Sequence, residues 1–443
     1  MLRFAPSPTG DMHIGNLRAA IFNYIIAKQQ RERFLVRIED TDFARNIDGK
    51  DKEILSTLNL FGILWDEVVY QSHHFSKHRQ FAEMLIEKGA AFYCYCTKDF
   101  LEQKKQEAIA AKKPFRYQDS WAEVCKDKNP KPVVRLKGSS KPICFKDKIK
   151  GEILFEANEL DSFVILREDG IPTYNFACAI DDMLFDISCI VRGEDHVSNT
   201  PKQIMVQHNL GYIKPIVYAH LPIILGDDGR KMSKRDASSS VNYLLSEGYL
   251  PQAIINYLVS MGNKTPCEVF TLKESIEWFD IANIAKSPVK FDLKRLRFLN
   301  REHLKRLNES EMALLLETQD IRIGALAKLF LEEASTLNEI RKKLCLIFEP
   351  KDINKFYEDE DFSASCKALI PVLRDIISCH NLETLEYEKF KALAIEKSQL
   401  KGKNFFKPLR ILLSGESHGV NLDELFVLIR PFLADILKIK GEQ

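Results

Sequence analysis

The sequence predicts an α/β protein with a doubly wound parallel sheet, an inserted α+β domain and an all-helical C-terminal region. Three observations support this prediction. Short β-rich runs alternate with helical apolar spacing over residues 1–92, and the alternation returns over 177–235. Residues 93–176 contain short β-type runs broken by turns. Beyond residue 236, helical spacing dominates to the end of the chain.

The first sixteen residues predict a strand, a turn and the beginning of a helix. The prolines and the glycine of residues 6–10 exclude both helix and strand pairing, whereas residues 17–28 predict a well-buried helix. A helix N-terminus after such a turn favours anion binding, because free amides and the helix dipole point to the same place. His13 can donate to a phosphate oxygen there, and Gly15 lets a nucleotide approach the backbone.

The following segments complete one half of the sheet domain and then the insertion. The β-rich run 34–38 ends in the acidic segment 39–42, and acidic side chains at the carboxyl end of a strand lie where open α/β sheets bind ligands. Helical apolar spacing follows over 54–64 and 81–86. The β-type runs of the insertion lie at 133–137, 153–155 and 163–166.

The sheet returns with a β-branched strand over 187–191, which ends in Arg192, and a buried strand over 222–225. The turn signal 227–229 then leads into the basic pentapeptide Lys231-Met232-Ser233-Lys234-Arg235. A second basic segment, residues 286–306, holds eight lysines and arginines against two carboxylates, a net charge of +6. Apolar residues interleave these charges, which predicts an amphipathic basic helix suited to a phosphate backbone.

Bulk composition excludes several classes of protein. The chain has 443 residues, of which 45% are hydrophobic, enough for several domains with sizeable cores. No run of eighteen apolar residues and no apolar N-terminal signal segment appear, so we expect a cytoplasmic protein without a membrane span. Ten scattered cysteines fit a reducing compartment. Because the net charge is only +1, any contact with nucleic acid would depend on local basic patches.

The two motifs at His13-Ile14-Gly15-Asn16 and 231–235 resemble the HIGH and KMSKS motifs of class I aminoacyl-tRNA synthetases. The segments 3–10, 37–42 and 192–196 are similar to those of the bacterial glutamyl-tRNA synthetases. The resemblance covers essentially the whole chain and is most specific up to about residue 300. It implies four domains, which are a Rossmann-type catalytic domain (1–92 and 177–235), an inserted acceptor-end-binding domain (93–176), a helical stem-contact domain (236–315) and an all-helical anticodon-binding domain (316–443).

The resemblance implies a glutamate–tRNA ligase. Such an enzyme joins L-glutamate to the 3′ end of tRNA(Glu) through a glutamyl-adenylate, and it releases AMP and diphosphate from ATP with Mg²⁺. The expected partners are tRNA, L-glutamate and ATP, and we expect a monomer. The implied catalytic residues are His13, Gly15, Lys231 and Lys234. The implied ATP-binding residues are His13, Gly15, Asn16, Asp195, Lys231, Met232 and Lys234.

By the same resemblance, five residues form the glutamate pocket. Arg3 and Arg192 would hold the side-chain carboxylate, Tyr174 would add a hydroxyl, and Glu39 suits the ammonium group. Ser7 matches the fifth position of the family's pocket. Two arginines favour glutamate over glutamine, because a neutral amide would leave buried cations unpaired.

Two positions depart from the family pattern. The HIGH motif ends in Asn16 instead of histidine, so one imidazole fewer is available to the phosphates. Cys94-Tyr95-Cys96 resembles the beginning of a zinc knuckle, but Trp121 occupies the region of the next expected ligand and no histidine closely follows Cys125. A structural zinc site needs four ligands, so we predict that zinc is absent and that these cysteines pack against neighbouring side chains.

Several alternatives compete with this interpretation. The helical C-terminal third argues against a glutaminyl-tRNA synthetase, and the chain length argues against a shortened paralogue that modifies a tRNA base. An inactive tRNA-binding paralogue is disfavoured because His13, Gly15, Lys231 and Lys234 are intact. A duplicated enzyme that charges tRNA(Gln) with glutamate, for later amidation, stays open because the choice depends on anticodon contacts.

Overall fold

The computed structural model describes residues 1–126, 129–157, 159–232, 236–351, 360–438 and 440. The chain divides into two compact units. The first comprises residues 1–243 and 255–292, and the second comprises 244–254 and 293–443. None of the helices in the described ranges is both long enough and apolar enough to cross a membrane.

The first unit is built from strands and helices in alternation. Its strands are β1 (Leu2–Phe4), β2 (Phe34–Ile38), β3 (Glu67–Tyr70), β4 (Ala91–Cys94), β5 (Val133–Leu136), β6 (Ile143–Asp147), β7 (Gly151–Phe155), β8 (Phe163–Leu166), β9 (Cys189–Gly193), β10 (Val217–Leu221), β11 (Ile224–Leu225) and β12 (Val289–Lys290). Its helices are α1 (Ile14–Gln30), α2 (Lys50–Leu60), α3 (Phe75–Glu87), α4 (Lys98–Ala110), α5 (Ser120–Val124), α6 (Tyr174–Leu184), α7 (Thr200–Leu210) and α10 (Leu272–Trp278). Helices α8 (Val241–Ser246) and α9 (Pro251–Ser260) include residues of both units.

The main sheet of the first unit is mostly parallel. Within the described residues it has seven strands in the order β3-β2-β1-β9-β10-β6-β7, and only the edge pair β6–β7 is antiparallel. Strand β2 is buried along its full length, as expected for a parallel strand covered on both faces. Helix α1 buries most of its residues because it is apolar nearly all the way round. The strand order reverses between β1 and β9, and such a switch point leaves a ligand crevice at the carboxyl ends of the strands.

The segment predicted as an insertion, residues 93–176, contributes to two sheets. Strands β4, β5 and β8 form a small antiparallel sheet, whereas the hairpin β6–β7 extends the edge of the main sheet beside β10. An isolated hairpin is marginally stable, so pairing with β10 gives it the support that its own two strands lack. This placement brings Asp147, the last residue of β6, beside Tyr218, the second residue of β10.

The second unit is helical in its described residues. Its helices are α11 (Leu293–Arg306), α12 (Glu309–Leu315), α13 (Ile321–Leu329), α14 (Leu337–Phe348), α15 (Glu360–Cys379), α16 (Tyr387–Ser398), α17 (Lys403–Ser414), α18 (Leu422–Ile429) and α19 (Leu433–Ile436). One apolar core holds them together, with Leu369, Phe405 and Phe426 fully or almost fully buried. Gly324 lets α13 approach α12 closely, since a Cβ there would lie 1.9 Å from the Glu309 carbonyl oxygen.

Candidate active site

A cavity of about 570 Å³ lies at the carboxyl ends of β1, β9 and β10, at the switch point of the main sheet. Its volume is in the range of ligand-binding pockets. Most of the residues predicted for the site line this cavity, although they come from distant parts of the chain. They are Arg3, Ser7, His13, Gly15, Asn16, Glu39, Tyr174, Arg192, Asp195, Lys231 and Met232. The predicted Lys234 lies outside the residues that the structure describes.

His13 caps the N-terminus of α1. Its imidazole Nδ1 accepts a hydrogen bond from the Gly15 amide at 3.0 Å, so a neutral ring carries its proton on Nε2. The Asn16 amide also donates to His13, through the carbonyl oxygen at 2.9 Å. The amides near Gly15, which the sequence suggested for phosphate binding, therefore already have an acceptor in His13. The imidazole and the positive end of the helix dipole are what this terminus presents to an anion.

A short hairpin carries Lys231 and Met232 to the cavity. The Met232 amide donates to the Ile224 carbonyl oxygen and the Gly226 amide to the Arg230 carbonyl oxygen, each at 2.9 Å. The turn includes Gly229, whose positive φ of 73° suits glycine. Met232 is buried, whereas the Lys231 side chain is 58% exposed and its Nζ lies 3.1 Å from Asp195 Oδ2. An ion pair this exposed is weak, so a nucleotide phosphate can compete for the lysine.

Below the cavity, a buried network of charges joins β1, β2 and α6. Arg3 Nε donates to Asp182 Oδ1 at 3.0 Å, and Arg37 Nη1 donates to the same oxygen at 2.6 Å. Arg37 Nη2 in turn donates to Glu39 Oε1 at 3.1 Å, and the Cys178 thiol donates to that oxygen at 3.0 Å. Burial opposes ionisation of Asp182, but the two arginines outweigh it and hold the pKa of Asp182 below its ordinary value.

This network separates the roles of the two arginines predicted for the glutamate pocket. Arg3 already has a carboxylate partner in Asp182, and Glu39 already has a cation in Arg37. Sequence reasoning missed both Asp182 and Arg37. The available signals were an arginine inside the apolar run 34–38 and an aspartate pair within an apolar helix. A charged residue in such a place indicates a buried ion pair, because an unpaired one is costly.

Arg192, at the end of β9, is held by neutral partners. Its Nη2 donates to Thr200 Oγ1 at 2.7 Å and to the His196 carbonyl oxygen at 3.4 Å, and its Nε donates to His220 Nε2 at 3.2 Å. Its Nη1 is buried and has no hydrogen-bond partner among the described residues. Within the same residues, no carboxylate forms an ion pair with Arg192. No carboxylate among these residues therefore neutralises the guanidinium of Arg192. Its Nη1 is still available as a hydrogen-bond donor in a residue that lines the cavity.

Tyr174 and His196 form a second polar pair in the cavity wall. The Tyr174 hydroxyl lies 3.2 Å from His196 Nδ1, and burial raises the pKa of Tyr174 well above its ordinary value. Burial, with Arg192 as a second cause, lowers the pKa of His196 to about 4. His196 is therefore neutral at physiological pH, and its Nδ1 can accept a hydrogen bond from the Tyr174 hydroxyl. The sequence motif 192–196 contains His196, but no role was predicted for it.

The three cysteines considered for zinc lie together with aromatic side chains. Cys94 Sγ is 3.1 Å from the Tyr117 hydroxyl, and Cys96 Sγ donates to the Trp121 carbonyl oxygen at 3.5 Å. Cys125 is fully buried in the same cluster. Burial raises the pKa of Cys96 to about 12. Over the described ranges, no group of three or more His, Cys, Asp or Glu side chains is arranged to hold a metal ion.

Comparisons with known proteins agree with this geometry. The family of tRNA synthetases class I (E and Q), catalytic domain, matches residues 1–298, and an anticodon binding domain matches 291–431. The chain is 65% identical over 439 residues to Glutamate--tRNA ligase 2 of Helicobacter hepaticus, which covers 99% of this chain and all of the relative. It is 57% identical over 442 residues to a GlutamylGlutaminyl-tRNA synthetase of Helicobacter pylori, with both chains fully covered.

A solved structure shares the fold. A glutamate tRNA ligase from Elizabethkingia meningosepticum, crystallised in complex with its amino acid, superposes with a TM-score of 0.80. The match covers 98% of this chain and 97% of that chain at 24% sequence identity. Together with the family match, it confirms the predicted fold class: a catalytic domain with a Rossmann-type sheet and a helical C-terminal region.

Proposed function

The chain belongs to the class I tRNA synthetases of the glutamate and glutamine type, and we propose that it ligates L-glutamate to the 3′ end of a tRNA at the cost of ATP. One observation carries the proposal. The cavity combines a buried arginine, Arg192, which has no carboxylate partner among the described residues, with a histidine-capped helix N-terminus and an exposed lysine. The first suits a side-chain carboxylate, and the other two suit the phosphates of ATP.

In the first step, an oxygen of the glutamate α-carboxylate attacks the α-phosphorus of ATP. The new P–O bond gives glutamyl-adenylate, and cleavage of the bond between the α-phosphorus and its bridging oxygen releases diphosphate. His13 and the dipole of α1 would stabilise the charge that builds on the α-phosphate, and Lys231 with Lys234 would follow the diphosphate. Mg²⁺ would enter with the nucleotide, held chiefly by phosphate oxygens.

In the second step, a ribose hydroxyl of the terminal tRNA nucleotide attacks the carbonyl carbon of the adenylate. The new ester bond forms as the bond between the carbonyl carbon and the phosphate oxygen breaks, AMP leaves with that oxygen, and the hydroxyl proton passes to the departing phosphate. No covalent enzyme nucleophile is needed, so catalysis consists of positioning and charge stabilisation. Arg192 and Tyr174 would hold the glutamate side chain in both steps, while the Arg3–Asp182 pair would shape the pocket beneath it.

The experiment that tests this proposal is amino-acid-dependent exchange of labelled diphosphate into ATP, with tRNA present. Glutamate should support exchange and glutamine should not, because an amide leaves the Arg192 charge unpaired. Transfer of labelled glutamate to tRNA should follow. A purified, folded protein that exchanges with glutamine alone, or with neither amino acid, would contradict the proposal.

A second candidate concerns the tRNA. The relative named GlutamylGlutaminyl-tRNA synthetase favours testing whether this chain attaches glutamate to tRNA(Gln), for later amidation. Both functions would use the same pocket, and the choice would depend on the region that matches an anticodon binding domain, residues 291–431. Charging purified tRNA(Glu) and tRNA(Gln) side by side decides between them. Exclusive charging of tRNA(Glu) would exclude the second candidate.

A further inference from the structure

A chain of buried polar groups leads from the cavity to the edge of the main sheet. Arg192 on β9 and His220 on β10 are register partners in adjacent parallel strands. Arg192 Nε lies 3.2 Å from His220 Nε2, and His220 Nδ1 lies 2.7 Å from Asp147 Oδ2. His220 and Asp147 are almost fully buried, and neither residue lines the cavity. His220 connects this pair to the site through its hydrogen bond with Arg192.

The donors and acceptors of this chain allow one arrangement of protons. An arginine Nε can only donate, so His220 Nε2 must accept. The proton of the neutral imidazole is therefore on Nδ1, which donates to Asp147. A protonated His220 would instead place an N–H against the N–H of Arg192. Burial is the largest cause of the lowered pKa of His220. The charge of Arg192 lowers this pKa further, whereas Asp147 acts to raise it.

Asp147 is itself fixed by four hydrogen bonds. Its Oδ1 accepts from the Ile149 and Lys150 amides at 2.9 and 2.7 Å, and its Oδ2 accepts from the amide and the ring of His220. Burial works to raise the pKa of Asp147, but the bonds from His220 and the Lys150 amide hold it below the ordinary value. Asp147 is therefore an ionised carboxylate, and the neutral His220 ring separates it from the guanidinium of Arg192.

We propose that Asp147 and His220 are positioning residues that orient Arg192, so that its charge and its Nη1 edge are kept for the carboxylate of the amino-acid substrate. The inference rests on the proposed function and deepens it. A direct carboxylate partner would neutralise the guanidinium, as Asp182 does for Arg3. A neutral imidazole orients Arg192 without competing with substrate. Discrimination between glutamate and glutamine would then depend on Arg192 far more than on Arg3.

A matched pair of variants tests the orientation. In His220→Gln, the amide oxygen can replace Nε2 as the acceptor for Arg192. In His220→Asn, the shorter amide can still donate to Asp147 but cannot reach Arg192. We expect His220→Asn to raise the KM for glutamate by about tenfold, the scale of one hydrogen bond to a charged group, while the KM for ATP stays unchanged. His220→Gln should recover most of this loss.

Tyr218→Leu is the control for packing. Tyr218 is buried two residues before His220 on β10, and its ring stacks with the imidazole at 6.3 Å. The Tyr218→Leu variant should have a lower thermal midpoint than the wild type but an unchanged KM for glutamate. Equal effects of the Asn and Gln variants, no effect of either, or an equal rise in the KM for ATP would overturn the proposal. A wild-type enzyme inactive with glutamate would instead contradict the proposed function.

A spectroscopic measurement does not depend on activity. In protein labelled with ¹⁵N-histidine, His220 should appear at neutral pH as the neutral tautomer with Nδ1 protonated and Nε2 free of a proton. The resonances are assigned by their loss in His220→Gln. An imidazolium, or a ring with the proton on Nε2, would overturn the inference whatever the kinetic effects of the variants.

Discussion

Arg3 Nε donates to Asp182 Oδ1 over 3.0 Å, and both side chains are buried. Asp182 also accepts from Arg37, so one carboxylate compensates two cations beneath the candidate active site. A buried carboxylate of this kind holds a pocket in shape, since loss of one partner leaves a charge without compensation.

We expect Asp182→Asn to lower the free energy of unfolding by about 3–5 kcal/mol, the usual effect of removing one member of a buried ion pair. Urea unfolding followed by circular dichroism measures this change. Asp186→Asn is the matched control, because Asp186 pairs with Lys214 on the surface and both side chains are about 60% exposed. It should leave the free energy of unfolding nearly unchanged, because solvent screens an exposed pair. Similar losses in the two variants would contradict the network.

Stability should fall in two separate pH ranges. The pKa of His196 is about 4 in the folded chain, against 6.5 ordinarily, so the unfolded chain binds a proton first as the pH falls. The free energy of unfolding should therefore decrease between about pH 6.5 and 4. Asp182 has a lowered pKa, so its contribution is present above its ordinary value of 3.8 and is lost below it. In His196→Gln the first range should flatten; an unchanged profile would contradict a neutral buried His196.

Two substitutions of His13 separate capping from catalysis. Asn is a good N-cap, so His13→Asn should keep the thermal midpoint close to that of the wild type, whereas His13→Ala should lose about 1 kcal/mol of stability. Both remove the imidazole from the phosphate site. Both should therefore lower the rate of adenylate formation by about a hundredfold, the scale of one preorganised electrostatic contact. A near-normal rate in His13→Asn would show that the imidazole is not used.

The two lysines of the basic pentapeptide should act mainly in the transition state. Lys234→Ala should slow activation by about a hundredfold or more at saturating ATP, because a mobile cation that meets the departing diphosphate is lost. Lys231→Ala should have a smaller effect, since Lys231 already shares its charge with Asp195. Lys214→Ala removes an exposed lysine on the surface and serves as the control. Normal turnover in Lys234→Ala would contradict the assignment.

We expect packing and hydrogen bonds, without a metal ion, to stabilise the cluster of Cys94, Cys96 and Cys125. Because the pKa of Cys96 is about 12, its thiol stays protonated at neutral pH and donates to a backbone carbonyl. We expect elemental analysis to find well under one zinc per chain, and a strong chelator to leave the thermal midpoint unchanged. Stoichiometric zinc that is lost on chelation, together with stability, would contradict the prediction that zinc is absent.

Much of the fold could be predicted from local patterns. The apolar run at 163–166 is strand β8, and the run at 133–137 contains β5. The place of the β6–β7 hairpin could not be predicted, because its partner β10 lies some seventy residues further on in the sequence. The burial of single side chains could not be predicted either, because Tyr93 is 48% exposed while Cys94 next to it is buried. Alternation along a strand separates neighbours in this way.

The fold class and the two motifs follow from the amino-acid sequence alone, because periodicity, turn residues and short motifs are properties of neighbouring positions. Sequence reasoning treated Arg3 and Arg192 as equivalent cations of one pocket. Only the tertiary structure separated them, since Asp182 is 179 residues from Arg3 along the chain and His220 is 28 residues from Arg192. The interaction of charges depends on distance through space and on burial, and both exist only after the strands β1, β9 and β10 have come together.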